Sequence, residues 1–142
     1  MKRYTLLAFL FFVFSCQKAE EQQTLLEASL INISDDQVVT LGSKVQIRVE
    51  LPNYVLDLDY DVQLSYQGIE TDNDVSFSAF HYAVKGSYDG NVRNMYAEID
   101  VPTVINGVPV KPGDYRLQIQ LKDKKGHTAK LWRDIVLQSS AI

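Results

Sequence analysis

Polar and apolar residues alternate with a period of two along three stretches of the chain. Val45, Ile47, Val49 and Leu51 alternate with Lys44, Gln46, Arg48 and Glu50. Leu56, Leu58, Tyr60, Val62, Leu64 and Tyr66 alternate with Asp57, Asp59, Asp61, Gln63, Ser65 and Gln67. Tyr115, Leu117, Ile119 and Leu121 alternate with Arg116, Gln118, Gln120 and Lys122. Successive side chains of a strand point to opposite faces. Each stretch therefore predicts a half-buried antiparallel strand, apolar face inward. Weaker patterns predict strands around 26–33, 38–41, 75–84, 94–101 and 128–138. Beyond residue 16 no segment carries a convincing helical period.

Turn chemistry separates these runs. Asn106-Gly107 is the strongest two-residue hairpin signal, because both central positions of such a turn need positive φ. Asp123-Lys124-Lys125-Gly126 reads as a short hairpin loop, and Lys111-Pro112-Gly113-Asp114 turns into the strongest late strand. Pro52-Asn53, Gly68 and Tyr88-Asp89-Gly90-Asn91 mark further corners. About seven to nine short strands at this spacing predict an all-β, Ig-like antiparallel β-sandwich over residues 25–142. Tyr115, at the head of the penultimate strand, resembles the tyrosine corner of Greek-key sandwiches, whose hydroxyl bonds back to upstream backbone. The other reading is a core tyrosine with its tip in water.

The N-terminus has a different pattern. Lys2 and Arg3 precede an apolar run of about a dozen residues, shorter than the roughly 20 that span a bilayer as a helix. Residues 1–15 read as a signal peptide. Val13-Phe14-Ser15-Cys16 resembles a bacterial lipobox of the looser Bacteroidota type, which implies lipidation of Cys16. Several acyl tails on one cysteine make a stable anchor. The alternative is an ordinary signal peptide with an incidental or free thiol. Cys16 is the only cysteine, so no disulfide staples the sandwich. Residues 16–24, with polar Gln17-Lys18-Ala19-Glu20-Glu21-Gln22-Gln23, read as a tether. Lys18 followed by Glu20-Glu21 resembles the short signal that exports some Bacteroidota lipoproteins to the cell surface.

The run Ile99-Asp100-Val101-Pro102, then Pro112-Gly113-Asp114-Tyr115, then the closing hairpin from Asp123 to Trp132, resembles the end of small Bacteroidota lipoproteins with an Ig-like domain of unknown function. The resemblance covers roughly the last third of the chain plus the lipobox. It implies an Ig-like fold, an outer-membrane lipid anchor that is surface-exposed in some members, and no assigned activity.

Charge excludes one class of partner. Loss of Lys2 and Arg3 with the leader deepens the formal net charge of −4 to about −6. Nucleic acid wants a basic patch, so it is not an expected partner. Asp57, Asp59 and Asp61 share a strand face about 7 Å apart, too divergent to converge on one ion. Arg116 and Lys122 are expected to neutralise that face in part. Asp35-Asp36 and Asp72-Asn73-Asp74 lie in loops, and Asp72, Asn73 and Asp74 are the better calcium candidates, a hard cation wanting six or more oxygens. His81 and His127 are too few for zinc. No Ser-His-Asp spacing, nucleophile elbow or phosphate loop occurs, and no histidine has an evident supporting acid. No cofactor and no enzyme activity are expected.

Aromatics give the remaining clue. Phe77, Phe80, His81, Tyr82 and Tyr88 crowd one region, and Tyr88 heads a loop tip. Trp132 faces outward on strict alternation, or inward if a bulge near Arg133 shifts the register. Exposed aromatics stack on sugars or anchor protein interfaces. The chain thus reads as a lipid-anchored, non-catalytic binding or accessory module of the cell envelope. It is read first as a protein-interaction module; the alternative is a glycan-binding lipoprotein using Trp132, Tyr82 or Tyr88. A small hydrolase is the third reading.

Overall fold

The computed structural model describes residues 25–69 and 76–140. Within them the chain is all-β: β1 Ser29–Leu30, β2 Gln37–Thr40, β3 Lys44–Tyr66, β4 His81–Asp100, β5 Val104–Ile105, β6 Val108–Pro109, β7 Gly113–Lys122 and β8 Thr128–Gln138. The expected leader, Cys16, the expected tether and Asp72–Asp74 lie outside the described residues.

The strands form an Ig-like β-sandwich. One layer joins β1, the first half of β3 and the end of β4, through pairs such as Leu30↔Val49 and Val45↔Ile99. The other runs β4–β3–β7–β8–β2, through Val62↔Val84, Val62↔Ile119 and Ile119↔Leu131. The two layers are continuous because the β3–β4 ribbon passes through both. Val45, Ile47, Val49 and Leu51 from one half of β3, and Leu58, Val62 and Leu64 from the other, share one buried cluster with Leu117, Ile119 and Leu121. Burying each such side chain contributes about 1.5–3 kcal/mol, and with no disulfide this cluster holds the sandwich together.

Several expectations change in detail. The first two alternating runs are not separate strands but one 23-residue strand, β3, with Pro52-Asn53 inside it. Residues 51–54 stand against Arg93 alone, since Glu50 pairs with Asn94 and Val55 with Val92. Arg93 Nε donates to the Leu51 carbonyl at 3.1 Å and spans the misfit. A second irregularity sets Asp57 against both Asp89 and Gly90. Asp57 and Gly90 take φ of 51° and 80°, and the Gly90 amide donates to Asp57 Oδ1 at 2.7 Å. Tyr88-Asp89-Gly90-Asn91 is therefore a bulge inside β4, not a corner: the glycine's left-handed backbone is used to kink a strand. Together the irregularities switch the inward residues of β3 from odd to even numbers and leave Leu56 exposed, although it continues the alternating run. The 75–84 strand begins only at His81, and β2 pairs with β8 in parallel, the one parallel pairing between described strands of this sheet.

Other signals match the structure. Asn106 and Gly107 have φ of 52° and 80° and close the β5–β6 hairpin. Tyr115 has no exposed surface. Its hydroxyl donates to the Lys111 carbonyl at 2.7 Å and accepts from the Phe80 amide at 3.2 Å. This is the tyrosine corner, and it ties the head of β7 to the segment leading into β4.

Candidate functional site

The strand register of the larger layer lays its outward residues on a grid. On β8 the outward positions are Thr128, Lys130, Trp132 and Asp134. Across the ladder β7 presents Lys122, Gln120, Gln118 and Arg116 opposite them. Next, β3 presents Asp59, Asp61, Gln63 and Ser65, and β4 presents Ser87, Lys85, Ala83 and His81. Alternation alone creates this face, because the odd residues of β7 and β8 and the even residues of β3 point to the core.

Trp132 sits near the middle of one edge of the grid, 53% exposed. Leu131 packs against the core and no bulge intervenes between β7 and β8, so the outward reading of Trp132 holds. Arg133 explains why the register does not slip. Its Nε donates to the Ile33 carbonyl at 3.2 Å and its Nη1 to the Trp132 carbonyl at 2.8 Å, so its charge leaves the core without shifting the strand. In the row of Trp132 lie Gln118, Gln63 and Ala83.

The charges around this row are partly matched. Arg116 Nε donates to Asp134 Oδ1 at 2.8 Å, with Nη2 to Oδ2 at 3.3 Å. The Arg116 hydrogen bond and charge hold the Asp134 carboxyl below its ordinary range, and the same pairing raises Arg116. Lys85 reaches Asp61 at 3.8 Å, and Gln63 Nε2 donates to the Asp61 carboxylate at 3.4 Å. Lys122 stands opposite Asp59, as expected, whereas Arg116 is taken by Asp134. A shallow groove of about 640 Å³ runs over the adjoining rows, bounded by Lys85, Asp61, Gln120, Lys122, Lys130 and Leu25.

The other candidate residues lie elsewhere. Tyr82 points to the opposite side of its strand, half-buried, its ring 6.4 Å from that of Phe80. Tyr88 is half-buried within β4, not at a loop tip. Its ring lies 5.5 Å from Tyr60, and its hydroxyl accepts from the Tyr96 amide and donates to the Tyr96 carbonyl. The structure thus separates Trp132 from Tyr82 and Tyr88. His81 is exposed at the corner of the grid. Asp57 leaves the aspartate face to hold Gly90, and Lys124 lies 3.7 Å from it. Asp35 accepts from the Asp134 amide, which fastens its loop to β8. Among the described residues no three His, Cys, Asp or Glu side chains gather for a metal ion.

One pair was missed in sequence. Asp123 is 7% exposed and accepts from the His127 amide at 2.9 Å, and its Oδ2 lies 2.8 Å from His127 Nδ1. His127 therefore has a supporting acid. Burial pushes the Asp123 carboxyl up, but the His127 amide, ring and charge and the Lys125 amide together hold it below its ordinary range. Asp and His four residues apart across a Gly-containing turn were the available signal. The adjoining groove of about 590 Å³ contains Asn53, Tyr54, Asn91 and Glu27, and among the described residues no Ser, Thr or Cys lines it. The arrangement caps the β7–β8 turn: the Asp123 amide donates to the His127 carbonyl, and Gly126 donates to that of Asp123.

No family model matches the chain, and no curated protein matches it. Among solved structures it is similar to a superoxide reductase (neelaredoxin) from Ignicoccus hospitalis T24K, at 8% identity, covering 85% of this chain and 87% of that one, with a TM-score of 0.49. It is also similar to fibronectin(III)-like modules of Clostridium thermocellum CbhA, at 9% identity over 81% of this chain and 100% of that one, TM-score 0.43. Murine CRIg follows at 12% identity over 81% and 99%, TM-score 0.36. At these identities and scores the likenesses say nothing of the site, and the sandwich rests on the strand pairings above.

Proposed function

We propose that this chain is a non-catalytic binding lipoprotein of the bacterial cell envelope, held in the outer membrane by lipid on Cys16, whose contact surface is the outward face around Trp132. The observation that carries the binding reading is the exposed indole on the outward sheet face, in register with Gln118 and Gln63. An indole offers an apolar plane, and amide side chains both donate and accept. That combination suits a sugar ring, which has an apolar face and a rim of hydroxyls. Protein hot spots prefer well-packed, desolvated surroundings. Lys130, Asp134 and Gln118 around Trp132 are polar, so a glycan is favoured over a protein partner.

Trp132 is the only tryptophan, so its fluorescence reports directly on the face. With the full chain in detergent micelles, a glycan captured on an array should shift or quench that emission, and Trp132→Ala should abolish capture. Capture that survives Trp132→Ala overturns the reading. The anchor rests on the lipobox resemblance and is tested separately. Cys16→Ala should move the chain out of the membrane fraction or stall its processing, and a variant that fractionates like the wild type rules out lipid at Cys16.

A further inference from the structure

We infer that the glycan is acidic, carrying carboxylate or sulfate groups, and that Lys130 and Lys122 receive those groups beside the ring stacked on Trp132. The inference rests on the glycan reading above and adds the class of sugar.

The two sides of Trp132 along β8 are not equivalent. On one side Asp134 is consumed by the two-pronged pairing with Arg116. On the other, about 7 Å along the strand, Lys130 makes no ion pair among the described residues. Lys130 faces Gln120 across the ladder, and Lys122 is the next outward residue beyond Gln120 on β7. Lys122, facing Thr128, also makes no ion pair among the described residues. Lys130, Gln120, Lys122 and Thr128 thus form one patch of ammonium, amide and hydroxyl donors, continuous with the indole and bordering the 640 Å³ groove.

Two of the three carboxylates on the grid, Asp134 and Asp61, already have partners. Asp61 is engaged by Lys85 and Gln63. Asp59 faces Lys122 across the β3–β7 ladder and lines the same groove, whereas Lys130 has the neutral Gln120 opposite it. Over the grid, Lys85, Lys122, Lys130 and Arg116 outnumber Asp59, Asp61 and Asp134. The whole chain has the opposite balance, with 18 acidic residues against 14 basic. A local cationic patch on an acidic protein selects an anionic ligand, and exposed lysines hold it in a salt-dependent way. Lysine suits this role as a hydrated point charge on a flexible stem.

The test uses paired probes on the full chain in detergent micelles: tetragalacturonate against its methyl ester for carboxylate, and dextran sulfate against dextran for sulfate. The acidic member of at least one pair should bind about tenfold tighter or more at low salt. The double variant Lys122→Gln/Lys130→Gln should erase that preference, and about 0.5 M salt should do the same. Equal, Trp132-dependent binding of both members of each pair overturns the acidic inference and leaves the glycan reading standing. A preference that persists in the double variant overturns the role of the lysines. If neither pair gives Trp132-dependent binding, and a photo-crosslinker at position 132 captures a protein instead, both readings fail.

Discussion

Tyr115 and Trp132 lie on neighbouring strands and are treated in opposite ways. Tyr115 is wholly buried, its ring 5.3 Å from that of Tyr66 and its hydroxyl bonded to two backbone groups. Trp132 is half in water, with polar neighbours on its own strand and on β7. Both obey the same alternation, and an odd or an even number decides the face. Tyr115 is explained by what it holds together. Trp132 adds little packing, so folding gives no account of it, and the proposed ligand would supply one.

The largest expected effect that sharpens this contrast is at Tyr115. Tyr115→Ala should cost about 3–5 kcal/mol, the usual penalty for an emptied aromatic site. Tyr115→Phe keeps the ring but removes the hydroxyl's bonds to the Phe80 amide and the Lys111 carbonyl, for about 1–3 kcal/mol. Urea midpoints measure both, and a Phe variant as stable as wild type would deny the hydroxyl its role. Next comes the β7–β8 turn. Asp123→Ala removes bonds to the His127 amide and ring and should cost about 1–2 kcal/mol. Because the folded carboxyl is held below its ordinary range of about 3.9, this contribution is present above that value. It is lost as pH falls through the lower folded value. Asp123→Asn should flatten that acid limb of the stability curve, and an unchanged limb would assign it to other carboxylates. Smallest in stability is Trp132→Ala, expected within about 0.5 kcal/mol as for most surface changes, though it should remove glycan capture. A large loss of stability there would turn Trp132 into a structural residue and dissolve the contrast.

Much of the sandwich was legible because it rests on local signals. The period-two run of β7 sets its faces, and Asn106-Gly107 and Gly126 act where a turn needs positive φ. The tyrosine corner was legible from a tyrosine opening a strand after Pro-Gly-Asp. Three features were not. Pro52-Asn53 and Gly90 look like corners, yet the ribbon uses them as bulges, and only the partner strand determines which. Leu56 fits the alternation but is expelled by the shift at Asp57. The Asp123–His127 pair needs the turn to close before its members meet. Trp132 left two readings open because a single bulge would have reversed it. What decided was Arg133 finding carbonyl partners at the layer's rim, a contact about a hundred residues away in sequence from Ile33.

The hydroxyl of Tyr88 has a consequence for how copies of the chain meet. Among the described residues β4 pairs with β3 only, so its other side is an open sheet edge of the kind that recruits foreign strands and seeds aggregation. The hydroxyl fills both the amide and the carbonyl of Tyr96, at 3.1 and 3.0 Å, and the Asp89–Gly90 bulge bends the strand between them. A strand arriving from a second copy meets a ladder already closed at Tyr96 and bent at Gly90, so it cannot zip along the full 20 residues.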